Sequence, residues 1–148
     1  MSQTLLAILA LITGALIPFQ LAFNGQLGTA LRSVYLGAFF VFLVGLVALF
    51  AILIVQRSAW PSSTELAAVP WTAWAGGLIA TAYIVAVVFL VPRLGVGTTA
   101  VLVIAGQLVA AMILDHIGAF GAAVNPLTTP RLGGALLVLA GAGLVKFG

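Results

Sequence analysis

Five windows of about 20 predominantly apolar residues, each closed by a charge, a proline or a turn signal, leave this chain few ways to fold. A helix rises about 1.5 Å per residue, so such a window crosses a hydrocarbon core of about 30 Å. The windows fall at 4–23, 34–55, 71–91, 96–114 and 131–147, and a more polar helix continues the first as far as Leu31. Their length and the absence of two-residue alternation predict helices rather than barrel strands. Only 5% of the residues are charged and 64% are hydrophobic. A soluble domain carries roughly 25% charged residues, so lipid must solvate most of this surface. The first window lacks a basic leading region and a small-residue cleavage site, and its apolar run is too long for a signal peptide. We read the chain as an all-α integral membrane protein, one domain over 1–148 with about five transmembrane helices.

The same scarcity of polar groups excludes most chemistry. The pI near 10.3 reflects a small excess of five bases over two acids. Those bases stand singly, with no patch to neutralise a run of phosphates, so nucleic acid is not an expected partner. With no Cys, one His and two carboxylates, neither a metal site, a cofactor nor an enzymatic acid–base pair is expected.

The connections carry local signals. Arg93-Leu94-Gly95 makes the link between the third and fourth spans very short, which predicts antiparallel neighbours. Ser62-x-x-Glu65 before Leu66-Ala67-Ala68-Val69 reads as a capping box that starts a short interfacial helix. Thr129 is the expected N-cap of the fifth span, with Pro130 in its first turn. Trp60, Trp71 and Trp74 fall near one membrane face, where aromatic residues anchor.

Orientation follows the excess of Lys and Arg on the cytoplasmic side. Here Arg57 and Arg131 fall on the side of the N-terminus, and Arg32, Arg93 and Lys146 on the other. So small a difference allows insertion in both directions, and an antiparallel homodimer would then create inverted-repeat symmetry. One weak charge, or the unequal loops, can equally fix a single orientation.

Polar side chains inside hydrocarbon usually face a cavity or another helix. Thr13, Gln20 and Asn24 share a stripe of the first span. Pro18 in the same helix removes a backbone donor and predicts a kink that frees carbonyls beside the two amides. In the third span Tyr83 shares a face with Gly76 and Ala80, and in the fourth Gln107 lies near mid-membrane. These groups can form a binding surface. They can equally be interhelical contacts worth about 1 kcal/mol each. Gly134, Ala135, Gly141 and Gly143 suggest that the fifth span packs closely, at a subunit interface. Asp115 opposes the macrodipole at the end of the fourth span, whereas a protonated His116 would be favoured there. An ion pair with Arg131 or Arg57 explains Asp115; proton coupling or gating by Asp115 and His116 is the functional alternative.

These residues together resemble a known family. Gly14-Ala15-Leu16-Ile17-Pro18-Phe19-Gln20 and Asn24-Gly25-Gln26-Leu27-Gly28 are similar to the first span of the YdcZ-type proteins, a half-size, five-span bacterial branch of the drug/metabolite transporter superfamily. The run from Gly106-Gln107 through Asp115-His116 to Gly118 and Gly121 resembles their most distinctive motif, and Trp74-Ala75-Gly76-Gly77 and Arg131-Leu132-Gly133-Gly134 also fit. The resemblance spans essentially the whole chain. It implies a five-helix inner-membrane protein, multi-pass, that dimerises or pairs with a homologous chain to match ten-helix relatives. The small multidrug-resistance relatives exchange protons through a Glu in their first span, where this sequence has Pro18 and Gln20. A neutral or polar substrate is therefore expected, moved by a facilitated carrier or a pump.

The expectation is a small-molecule secondary transporter working by alternating access as an antiparallel homodimer in lipid, its cavity lined by Gln20, Asn24, Tyr83 and Gln107. A non-transporting scaffold or packing subunit is the rival, decided by whether the amides converge on one cavity. A holin-like pore fits less well, because no span has a strongly polar face.

Overall fold

The computed structural model describes residues 2–148. Its elements are α1 (Gln3–Ala30), α2 (Val34–Val55), α3 (Ser63–Ala68), α4 (Trp71–Leu94), α5 (Val96–Ile117) and α6 (Thr129–Phe147), with a single 3₁₀ turn at Ala119–Gly121. Five of these are long and apolar enough to cross a membrane. No strand occurs among the described residues.

Sequence windows and helices agree closely, and the differences have local causes. α1 runs through Pro18 without ending, although Pro18 has no N–H to offer the carbonyl of Gly14. α4 also continues past Pro92, which stands in its last turn instead of closing it. α5 extends beyond the expected end at Leu114, so Asp115 and His116 belong to its final turn; Gly118 terminates it in the left-handed conformation at φ 62°. The N-cap of α6 is Thr128, one residue before the expected Thr129.

The chain divides into two compact units. One comprises Phe19–Arg93. Its core is Ala38, Ile84 and Val88, with Val34, Val41, Tyr83 and Val85 packed around them. Glycines set how closely its helices approach. A Cβ on Gly25 would stand 2.6 Å from Val91 Cγ1, and one on Gly28 would run into Val88. A Cβ on Gly37 would lie 2.7 Å from the Cα of Gly28. Small residues at such crossings replace the hydrophobic drive that lipid abolishes. Apart from Gly37 and Ala38, no residue of α2 is buried, so the most apolar helix presents nearly all its surface outward.

The α1–α2 connection is a Schellman turn. The Ser33 amide donates to the Gly28 carbonyl at 3.1 Å and the Arg32 amide to that of Thr29 at 3.1 Å. Arg32 holds the left-handed position, φ 51°, where glycine is usual. Ser33 then caps α2, its hydroxyl accepting from the Leu36 amide at 3.2 Å.

α3 is the short helix the capping box predicts. The Glu65 amide donates to the Ser62 hydroxyl at 3.2 Å, and the Ser62 amide donates to the Glu65 carboxylate at 2.7 Å. That backbone bond first, and the Ser62 hydroxyl second, hold the Glu65 carboxyl below its ordinary pKa. A depressed carboxylate stabilises above its unfolded value and loses that contribution as pH falls through the folded one. The protection of the Leu66 and Ala67 amides, measured as exchange relative to the intrinsic rate at each pH, should therefore be weaker in acid than at neutral pH, and E65Q should abolish that loss of protection.

The second unit joins α1 as far as Pro18 with Leu94–Gly148. Within it α5 and α6 pack on each other. Ala105 and Met112 of α5 and Ala135 and Ala142 of α6 are among its buried residues. In α6 these buried alanines, seven apart, lie along one side of the helix; a Cβ added at Gly134, Gly141 or Gly143 would meet no neighbour within 4 Å in the chain.

Candidate functional site

The polar residues of the first span end in different environments. Thr13 is exposed, and its hydroxyl donates to the Leu9 carbonyl at 2.8 Å, one turn back in its own helix. Gln20 is exposed. Asn24, one turn further, is only 6% exposed, and its side-chain nitrogen has no hydrogen-bond partner. A buried amide donor without a partner costs about 1–3 kcal/mol, so native structures rarely leave one. The stripe read from the sequence thus resolves into one outward-facing amide and one inward-facing amide with an unused donor.

Tyr83 is half-buried and packs against Ala38, Ile84 and Val88, so its ring serves the crossing of α2 and α4. Its hydroxyl makes no hydrogen bond among the described residues. Gln107 is exposed on α5, and a Cβ added to the neighbouring Gly106 would meet nothing within 4 Å.

Asp115 and His116 are brought together with the chain that follows them. Arg131 Nη2 donates to Asp115 Oδ2 at 2.7 Å, with both side chains partly exposed. The same guanidinium donates through Nη1 to the Asn125 carbonyl at 2.6 Å. The Asn125 amide returns to the Asp115 carbonyl at 2.8 Å. Beside it the Leu127 amide donates to His116 Nδ1 at 3.3 Å. Nδ1 can accept only when it carries no proton, so the imidazole in this arrangement holds its proton, if neutral, on Nε2.

The result is a clasp in which Arg131, from the first turn of α6, ties the 118–128 connection to the end of α5. The ion pair also explains how Asp115 is tolerated at the negative end of a helix. The carbonyl partners at Asn125 and Pro126 were missed by sequence reasoning. The one signal for them was Asn125-Pro126, a turn-forming pair. A partly exposed pair of this kind contributes about 0.5–1 kcal/mol. We therefore expect D115N to raise the rate of limited proteolysis within 118–128 roughly two- to fivefold, if cleavage samples the opened loop.

The fold defines the class first: a helical protein with five membrane-capable spans whose intramembrane polar groups are amides, hydroxyls and a phenol. Residues 5–144 match the family described as "Putative inner membrane exporter, YdcZ", and the chain belongs to that family. It is accordingly a multi-pass protein of the inner membrane. No curated protein and no solved structure matches it.

Proposed function

We propose that this protein is a secondary transporter of neutral or polar small molecules, working by alternating access as an antiparallel homodimer of dual topology. The observation that carries the reading is the buried, unpartnered amide of Asn24 inside a membrane-spanning helix. A buried donor that the protein itself leaves unused is suited to a ligand that arrives and leaves. Family membership supports the exporter class, and the near-equal division of basic residues supports insertion both ways.

In this reading the exposed amides Gln20 and Gln107 meet across the two copies, with Asn24 and Tyr83 completing the polar lining. Pro18 gives α1 its flexibility, and rocking of one copy against the other exposes the midplane site alternately. Asp115 and His116 act as the gate. Protonating Asp115 would release Arg131, and protonating His116 at Nδ1 would remove the acceptor for Leu127, so both steps loosen the clasp.

Two measurements test this. The chain has no cysteine, so single cysteines placed in its loops can be labelled from one side of intact cells. Dual topology predicts that each loop labels in about half the molecules; labelling from one side only would sink the antiparallel dimer. For a compound whose export depends on this chain, Q20L combined with Q107L should reduce export by about tenfold or more, from two lost hydrogen bonds of about 1 kcal/mol each. Unchanged export would remove both amides from the cavity.

A further inference from the structure

Where α1 turns into α2 and α4 ends, the Phe19–Arg93 unit has a recess of about 400 Å³ whose polar lining includes Arg32, Arg93, Thr29 and Ser33. A second recess, of about 580 Å³, shares Val34 and Arg93 with it and is otherwise lined largely by apolar groups, among them Val85, Ala86 and Phe89. Both volumes fall in the range of small-molecule sites, roughly 300–1,000 Å³. At the shared residues the cationic recess adjoins an apolar one between α2 and α4.

The charges here are uncompensated. The chain has only two acidic side chains: Asp115 is paired with Arg131, and Glu65 is held by Ser62. No carboxylate reaches Arg32 or Arg93 among the described residues. Arg93 lies over the Phe89 ring, 3.6 Å from its centroid, and gives Nη1 to the Phe89 carbonyl, which leaves the rest of its fork free. The start of α2 adds partial positive charge. The carboxyl ends of α1 and α4 oppose it, so the guanidiniums, and not the helix ends, must decide the sign. Two of them facing one recess repel unless an anion lies between them. Arginine forks match phosphate oxygens in geometry as well as charge.

We infer that these adjoining recesses bind an anionic phospholipid, its phosphate on Arg32 and Arg93 and one acyl chain along Val34, Val85, Ala86 and Phe89. A free anion would use the polar pocket alone and leave the apolar recess unexplained. A zwitterionic lipid would bring its own cation against two arginines. The inference stands apart from the transport reading, since the lipid remains bound while substrate passes elsewhere.

Native mass spectrometry of the full chain, released from detergent, tests it with dioleoyl phosphatidylglycerol against dioleoyl phosphatidylcholine. Phosphatidylglycerol should be retained at least fivefold better, and R32Q and R93Q should each lower its retention by about fivefold, the size of one basic residue at an anionic surface. A86W, which fills the apolar recess and leaves both arginines in place, should also lower it. Equal retention of the two lipids by the unaltered chain, or selectivity that survives in both R32Q and R93Q, overturns the site. Displacement of phosphatidylglycerol by inorganic phosphate as readily as by the lipid itself would assign the pocket to a free anion and overturn the lipid assignment.

Discussion

Replacing Gly37 with alanine should give the largest loss of stability of any single methyl added to α2. The new Cβ would lie 2.7 Å from Gly28 Cα, 2.9 Å from Gly28 N and 3.2 Å from Val88 Cγ1. Side chains can rotate away from an intruding methyl, but the Gly28 backbone cannot, so α1 and α2 would have to part. Their separation would also open the Ala38–Ile84–Val88 core packed beside them. Overpacking a tight site costs about 1–3 kcal/mol, and a backbone clash belongs at the upper end. Gly45, in the same helix, is the control, because a Cβ there meets nothing within 4 Å. G45A should be neutral or stabilising by up to about 1 kcal/mol through helix propensity. Thermal unfolding in a mild detergent separates the two variants. Equal melting temperatures for G37A and G45A would show that the Gly28–Gly37 approach contributes nothing.

That close approach marks where sequence reading stops. The spans themselves were legible because their signals are local. Pro70 before Trp71, the capping box at Ser62 and Glu65, and the abrupt loss of apolar residues after Val55 each act within a turn of the chain. Gly37 gave no such signal. It lies in an unbroken apolar run, and its partner is the backbone of another helix. In water a hydrophobic stripe would betray which face packs, but in lipid both faces are apolar and the stripe disappears. The ends of α4 and α5 were misplaced for a related reason. Pro92 and the Asp115-His116 pair look like terminators, yet α4 continues two residues past Pro92 despite the lost N–H bond to the Val88 carbonyl, and Asp115 is made tolerable by an arginine sixteen residues away.

The candidate site was legible by residue type and not by environment. Gln20 and Asn24 are both amides on one stripe, and nothing in their spacing tells that one faces outward while the other is buried. Arg32 was read as an orientation charge, and Arg93 as an orientation charge and part of a short link, neither as a binding group. Their shared recess depends on the Schellman turn that carries Arg32 and on the last turn of α4, which come together only in the fold.

The buried amide leads to a prediction in which stability and function move in opposite directions. Asn24 is 6% exposed with an unpartnered nitrogen. Leucine has the same branching at Cγ and no donor to satisfy. If the donor is held for a ligand, N24L should raise the stability of the empty protein by about 1–2 kcal/mol, within the cost of an unsatisfied buried group. Export should fall by at least about tenfold in the same variant, because the substrate loses the hydrogen bond that Asn24 would make to it. Stabilised but inactive variants are what a site maintained against stability produces. Q20L separates this from a general effect of removing amides, since Gln20 is exposed and its loss relieves no buried donor. The paired readout is melting temperature in detergent and export of one identified compound. A less stable N24L that still exports would mean the amide is packing glue, and the transport site would have to be sought away from the first span.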